Sequence, residues 1–330
     1  MPIGSEHRRN RRVASLKEIE FQLPGALLLG NGFSAAYDPM FCYESLREGA
    51  QFPERLEAVF DTVGTSDFEM VMRRLNEAVA LLRHYDETAP VLTRLRTDVR
   101  LVRSSLIHAL TAYHPRDADY VEEADKEICA NFLHDYDRVF TLTYDLLLYW
   151  VMAPRLFDKH RDGFGGDDLH WRQGEGDQTV FYVHGGLHLF RVEDETFKRS
   201  YAQGRITDQL REALDAGDIP LFVSEGESRQ KLNAIRQSPY LNYCYEALRA
   251  NDLPLCIYGF AFDENDDHIA RAIERSRVPE ITIFLHSGGD PQERDQVKER
   301  GYRLRRRLQA QGRTVPVRFR ESNEVRIWPE

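Results

Sequence analysis

Only four cysteines occur in 330 residues, Cys42, Cys129, Cys244 and Cys256, and no two form a C-x-x-C pair. That scatter argues against a structural zinc site and against a disulfide framework. Cys256, inside an apolar run, reads as a small core residue. No apolar run approaches the ~20 residues that cross a bilayer, so no membrane is expected. Positive charge is also short. Lys and Arg number 44 against 54 Asp and Glu, a net charge of −10, which argues against broad binding to nucleic acid or to a membrane surface. The local exception is Arg8-Arg9-Asn10-Arg11-Arg12. It lies in a polar start without the apolar stretch of a signal peptide. Residues 1–20 read as a mobile tail, with an anionic partner as the alternative, and a cytoplasmic protein is expected.

What is present is enough for a core. The apolar fraction is 42%, and the length fits one large domain with an insertion, or two domains. The chain is organised around Ala26-Leu27-Leu28-Leu29-Gly30-Asn31-Gly32-Phe33-Ser34. An apolar run closed by turn residues reads as a buried strand of a helix-covered parallel sheet. If Phe33 to Tyr37 opens a helix, its free N–H groups favour an anion such as a pyrophosphate. The full G-x-G-x-x-G is absent, since Ala35 stands where the third glycine would be, and Ala36 or Tyr37 would have to do its job. An ordinary strand-to-loop junction is the alternative.

Helical patterning follows. Phe68, Val71, Met72, Leu75, Val79 and Leu82 recur at steps of three and four, with Ser66 or Asp67 as a candidate cap. Residues 90–114 repeat the pattern and residues 122–136 form a third candidate, so a helical insertion over about 41–135 is expected. Strands then resume at Arg138–Tyr144, Thr179–His184, Ile219–Val223, Leu255–Tyr258 and Ile281–Leu285. Helical stretches alternate with them at Thr207–Ala216, Arg229–Arg249, Asn265–Arg275 and Gln292–Gln311. Val315–Arg320 and Val325–Trp328 read as edge strands, and Gly163–Gly176 as a rim loop. The alternation predicts an α/β fold, a Rossmann-like, doubly wound, mostly parallel sheet with one α-helical insertion, carried by residues 21–330.

In such a sheet ligands sit beyond the carboxyl ends of the strands. Four expected strand ends carry polar or glycine residues: Gly30-Asn31-Gly32, Thr143 with Asp145, His184-Gly185-Gly186, and Gly259 with Asp263, Asn265, Asp266, Asp267 and His268. A histidine after an apolar strand and before two glycines suits a cleft, although a satisfied rim histidine looks the same. Asp145 could instead cap the helix from Leu146 to Met152, and Asp263–Asp267 could be a solvated turn.

These strand ends resemble the motifs of sirtuin-like domains. Gly30-Asn31-Gly32-Phe33-Ser34 is similar to their first glycine motif, and Thr141-Leu142-Thr143-Tyr144-Asp145 to their Thr-x-Asn-x-Asp. Tyr182-Val183-His184-Gly185 resembles the strand ending in their catalytic His-Gly. Gly259-Phe260-Ala261-Phe262 with Asn265-Asp266-Asp267-His268 resembles the segment that holds the adenosine ribose. Asp67-Phe68-Glu69 is similar to a helix motif of the bacterial anti-phage branch. The resemblance implies hydrolysis of NAD to nicotinamide and ADP-ribose. It places the pyrophosphate at Gly30, Asn31, Gly32, Phe33 and Ser34, the ribose near Gly259, Asp266 and Asp267, and the chemistry at His184, Asp145 and Thr143.

Two departures matter. Sirtuin deacylases carry a four-cysteine zinc module, and this chain has no such pairs, so no metal is expected. The family asparagine is Thr143 here, whose hydroxyl lacks the paired donor and acceptor of an amide. That leaves a catalytically silent NAD or ADP-ribose sensor or scaffold as the rival reading. An active NADase must be gated, so a homo-oligomer or a separately encoded sensor protein is the partner the resemblance implies.

Overall fold

A computed structural model describes residues 25–329, apart from 39–42, 51, 67, 87, 114–117, 153–158, 166–168, 175–176, 217, 219 and 224–226. The basic cluster Arg8 to Arg12, Cys42 and the candidate cap Asp67 lie outside the described residues.

The strands are β1 (Gly25–Leu29), β2 (Tyr136–Thr141), β3 (Phe164–Gly165), β4 (His170–Trp171), β5 (Val180–Tyr182), β6 (Leu189–Val192), β7 (Glu195–Lys198), β8 (Leu255–Tyr258), β9 (Ile281–Leu285) and β10 (Val317–Glu321). Six of them form one sheet in the order β10-β9-β8-β1-β2-β5. Every neighbouring pair in it is parallel. Numbered within this sheet, the order is 6-5-4-1-2-3, the strand order of dinucleotide-binding sheets. It reverses between β1 and β8, where two neighbouring strands send their connections in opposite directions.

The sequence explains why β1 is central. Ala26, Leu27, Leu28 and Leu29 are all fully buried, as expected for a strand covered on both faces. Each leucine so buried contributes about 1.5–3 kcal/mol of transfer free energy. Leu28 pairs with Phe140 of β2 on one side and Ile257 of β8 on the other.

Helices α1 (Gly32–Tyr37), α2 (Tyr43–Ala50), α3 (Glu54–Val63), α4 (Phe68–Leu82), α5 (Pro90–Tyr113) and α6 (Glu123–His134) all fall between β1 and β2. The chain returns from them to the strand next to the one it left, so α2 to α6 are the expected helical insertion. Phe68, Val71, Met72 and Leu75 are its buried stripe on α4. The remaining helices are α7 (Leu147–Val151), α8 (Ile206–Asp215), α9 (Ser228–Gln237), α10 (Pro239–Arg249), α11 (Asp267–Arg275) and α12 (Pro291–Ala310).

Four local readings differ from the structure. The single helix expected over Arg229–Arg249 is two, α9 and α10. Ser238 caps the second, accepting from the Leu241 N–H at 3.4 Å, and Pro239 opens it; Pro cannot donate the bond that would continue α9. Among the described residues of Ile219–Val223 there is no strand. They make one antiparallel bridge, Phe222 to Gly185, beyond the end of β5. Part of the expected rim loop Gly163–Gly176 supplies β3 and β4, which join the hairpin β6–β7 in a second, antiparallel sheet. Val325–Trp328 is no edge strand either. Trp328 is buried, its Nε1–H donates to the Phe33 carbonyl at 2.9 Å, and its ring packs 4.7 Å from Tyr37. The end of the described chain therefore clamps α1.

Candidate functional site

The carboxyl ends of β1, β2, β5 and β8 carry the predicted residues, and the structure sorts them into three groups. The first is the glycine crossing. Gly30 and Gly32 press on Gly259: a Cβ on Gly32 would meet the Gly259 Cα at 2.6 Å, and one on Gly30 would overlap the Gly259 carbonyl. Gly259 has φ +69°, a left-handed conformation natural to glycine. The close approach these glycines permit is thus to each other, at the switch point. The N–H groups of the turn are engaged internally. Gly32 donates to Gly259 O at 2.9 Å, Phe33 to Gly30 O at 2.9 Å, and Ser34 to Asn31 O at 3.1 Å. Asn31 itself is exposed. Gly32→Val is therefore expected to lower the melting temperature by several degrees or prevent folding in the absence of any ligand, as read by thermal denaturation followed by circular dichroism.

The second group joins the ends of β1 and β2. Ser34 is fully buried and its hydroxyl donates to Asp145 Oδ2. The other carboxylate oxygen accepts the Leu147 N–H at 2.9 Å, so Asp145 also satisfies the opening of α7, as the capping alternative anticipated. Burial pushes the Asp145 carboxyl above its usual range, and the donations from Ser34 and Leu147 only partly oppose that. Thr143 is buried beside it. Its hydroxyl lies 2.8 Å from that of Thr141, which also accepts the Thr143 N–H at 3.1 Å.

The third group is a histidine pair. His184 follows β5, is 3% exposed, and places Nε2 3.0 Å from His268 Nε2 in the first turn of α11. One of the two nitrogens must donate to the other, so at least one ring is neutral. Burial agrees: it takes His184 well below its ordinary pKa and lowers His268 to about 4. Asp266 Oδ1 stands 3.9 Å from His184 Nε2 and 3.0 Å from Lys231 Nζ. Lys231, on α9, has no exposed side-chain area. Burial tends to raise the Asp266 carboxyl, but the Lys231 ammonium prevails and takes it to about 2.

His184, Asp266 and His268 each put one ligand atom within 4.8 Å of the others, which is a donor set for zinc. The charge is already balanced, however. A divalent ion there would lie beside a buried ammonium bonded to the same carboxylate, and that repulsion opposes metal binding. Asp267 turns away from this group, paired with Arg307 at 2.8 Å and Arg271 at 2.7 Å.

A cleft of about 540 Å³ opens onto the histidine pair. His268, not His184, lies in its wall, together with Ser228, Phe262 and Asp267. Ser228 Oγ is 3.4 Å from His268 Nδ1. Phe262 holds φ +57°, a strained conformation for an aromatic residue, of the kind that gathers at functional clefts.

Lys231 was invisible to sequence reasoning because a lysine on an amphipathic helix reads as solvated. The signal that could have found it is the short α9 itself, cut from α10 at Ser238-Pro239. Arg73 was missed as well. It reaches from α4 of the insertion to Asn265 Oδ1 at 2.5 Å, a pairing 192 residues apart in the chain.

No curated protein matches the sequence. Residues 27–328 match the family described as a domain of unknown function, DUF4917, a span that takes in every group above, and the chain belongs to that family.

Proposed function

We propose that this protein hydrolyses NAD to nicotinamide and ADP-ribose, as a gated effector of anti-phage defence by NAD depletion. The observation that carries the reading is His184: a neutral, buried imidazole directly after a parallel strand, coupled through His268 to a cleft on the ligand-binding edge of a Rossmann-like sheet. In the reaction the bond between the nicotinamide nitrogen and ribose C1′ breaks, and its electron pair leaves with nicotinamide. Water adds to C1′ and gives up a proton. The His184–His268 pair accepts it, a role suited to an imidazole free of charge at neutral pH. Asp145 and Thr143 shape the nicotinamide end, and Gly259 and Asp266 the ribose end. A homo-oligomer or a separately encoded sensor supplies the gate.

A specific observation favours the rival reading of a silent NAD or ADP-ribose sensor. Thr143, in the place of the sirtuin-like asparagine, is 3% exposed and its hydroxyl is paired with that of Thr141. The discriminating experiment incubates the purified chain with NAD, with and without the product of a neighbouring gene, and follows nicotinamide release. Release above the buffer rate is expected, and Thr143→Asn is expected to change it. Binding of ADP-ribose with no release under any condition would replace the enzyme reading by the sensor.

A further inference from the structure

We infer that the cleft beside His268 is a binding site for a phosphate-bearing, nucleotide-sized ligand, held by arginine side chains rather than by the N–H groups of the glycine turn. The chain carries −10 overall, yet residues 291–330 hold eleven Lys or Arg against six Asp or Glu. On α12 the residues Arg300, Arg303 and Arg307 recur at steps of three and four, which puts them on one stripe of the helix. All three line the cleft. Arg73 of the insertion, Arg229 of α9 and Arg271 of α11 face them, so cations from four separate helices converge on one space.

Four of the six are already fixed in place. Arg300 pairs with Asp263 at 2.5 Å and donates to Ala261 O at 2.8 Å. Arg307 holds Asp267 and Glu274 at 2.8 and 2.9 Å, Arg271 holds Asp267, and Arg73 holds Glu77 at 3.1 Å. These pairs neutralise Asp263 and Asp267 of the wall; Glu227 and Glu264, which also line it, have no arginine pair among the described residues. Arg229 and Arg303 differ. Both are exposed, and among the described residues neither makes an ion pair or hydrogen bond. Their guanidinium groups line the cleft uncommitted, and a guanidinium grips a phosphate with two parallel hydrogen bonds.

The apolar side of the same space is Phe262, Leu232, Ala270 and Leu304. Apolar side chains beside arginines suit a ring system joined to phosphate, and a volume of about 540 Å³ falls within the range of small-ligand pockets. The glycine turn offers less. Its N–H groups at Gly32, Phe33 and Ser34 are taken by carbonyls of the chain, and α1 is only six residues long. Identifying the ligand with the dinucleotide end of NAD rests on the function proposed above; the phosphate chemistry of the cleft does not.

The test is titration calorimetry of the full chain with inorganic pyrophosphate, with ADP-ribose and with adenosine, at low and high salt. Arg229→Glu and Arg303→Glu are compared with wild type and with Arg100→Glu on α5, a helix that contributes no residue to the cleft wall. All the substituted side chains are exposed, and melting temperatures check that each variant folds. Pyrophosphate and ADP-ribose are expected to bind, more weakly at high salt. Each cleft variant should weaken both by about tenfold or more, a change of one charge-assisted bond, while Arg100→Glu leaves them unaltered. No binding of pyrophosphate, or binding that Arg229→Glu and Arg303→Glu leave unchanged, would overturn the assignment. ADP-ribose binding untouched by both variants would sink the cleft and spare the NAD reading. Arginine-dependent pyrophosphate binding with no nicotinamide release would do the reverse.

Discussion

Lys231→Met is expected to lower the free energy of unfolding by roughly 3–5 kcal/mol, the cost of removing one partner from a buried ion pair. The lysine head has no exposed area and its carboxylate, Asp266, is only 22% exposed. Methionine fills the same volume, so little cavity is created, and the loss isolates the charge. Without the ammonium, burial is left to act on Asp266, and its carboxyl pKa rises from about 2 toward and past the ordinary value. The pair's linkage to pH has a definite sign. Asp266 is lowered from 3.8 to about 2, so its stabilisation is complete above pH 3.8 and is lost as pH falls through that interval. Urea unfolding of wild type and Lys231→Met at pH 7 and pH 3 reads both effects. The difference between the two proteins should shrink at the lower pH. Lys231→Met with Asp266→Asn should recover a large part of the loss, because no unpaired charge then remains. A single variant as stable as wild type at pH 7 would mean that water, not the lysine, compensates Asp266.

The same lysine marks where sequence reasoning stopped. Parallel strands announce themselves, because a strand buried on both faces is apolar along nearly all its length, as 26–29, 255–258 and, apart from Thr282, 281–285 are. Helix interiors with a single stripe, such as Phe68 to Leu75, do likewise. The return of β2 to the sheet of β1 was legible from the strand pattern at Val139 and Phe140. The strand expected at Ile219–Val223 was not one among the described residues, because composition says that a segment is extended and half-buried but not which edge it meets; Phe222 bridges to Gly185 outside the parallel ladder. Trp328 failed for a related reason. A buried aromatic near the end of a chain looks the same whether it pairs in a sheet or, as here, plugs the space over Phe33.

At the site, the residues that stand directly after strands were legible, and the groups that complete them were not. Gly30, Asp145, His184 and Gly259 announce themselves by position. Ser34 against Asp145, His268 against His184, Lys231 against Asp266 and Arg73 against Asn265 are pairings across long stretches of chain. No spacing rule reaches that far. The glycines show how a correct residue can carry a different cause. Gly30 and Gly32 do permit a close approach, and the partner within the chain is Gly259.

His184→Ala is expected to reduce the proposed NAD hydrolysis by about 10²–10⁴, the usual loss when a general base, the role proposed for it, is removed. His184 Nε2 has His268 as its partner at 3.0 Å, and His268 alone of the two borders the cleft. A proton taken from water at the cleft therefore meets His268 and can be shared with His184. His268→Ala should then cost about as much as His184→Ala, and the double variant little more than either, the non-additivity of groups that act as one unit. The pH profile supplies a separate check. Burial lowers both imidazoles, His268 to about 4 and His184 well below 6.5, so the base stays unprotonated as pH falls. The acidic limb of kcat/KM should lie clearly below pH 6.5, and activity should persist at pH 5.5 where an ordinary histidine would be mostly charged. Initial rates of nicotinamide release between pH 4.5 and 8, with the gate released, measure it. An acidic limb at 6.5, or a His184→Ala rate equal to wild type, would remove the histidine pair from the chemistry.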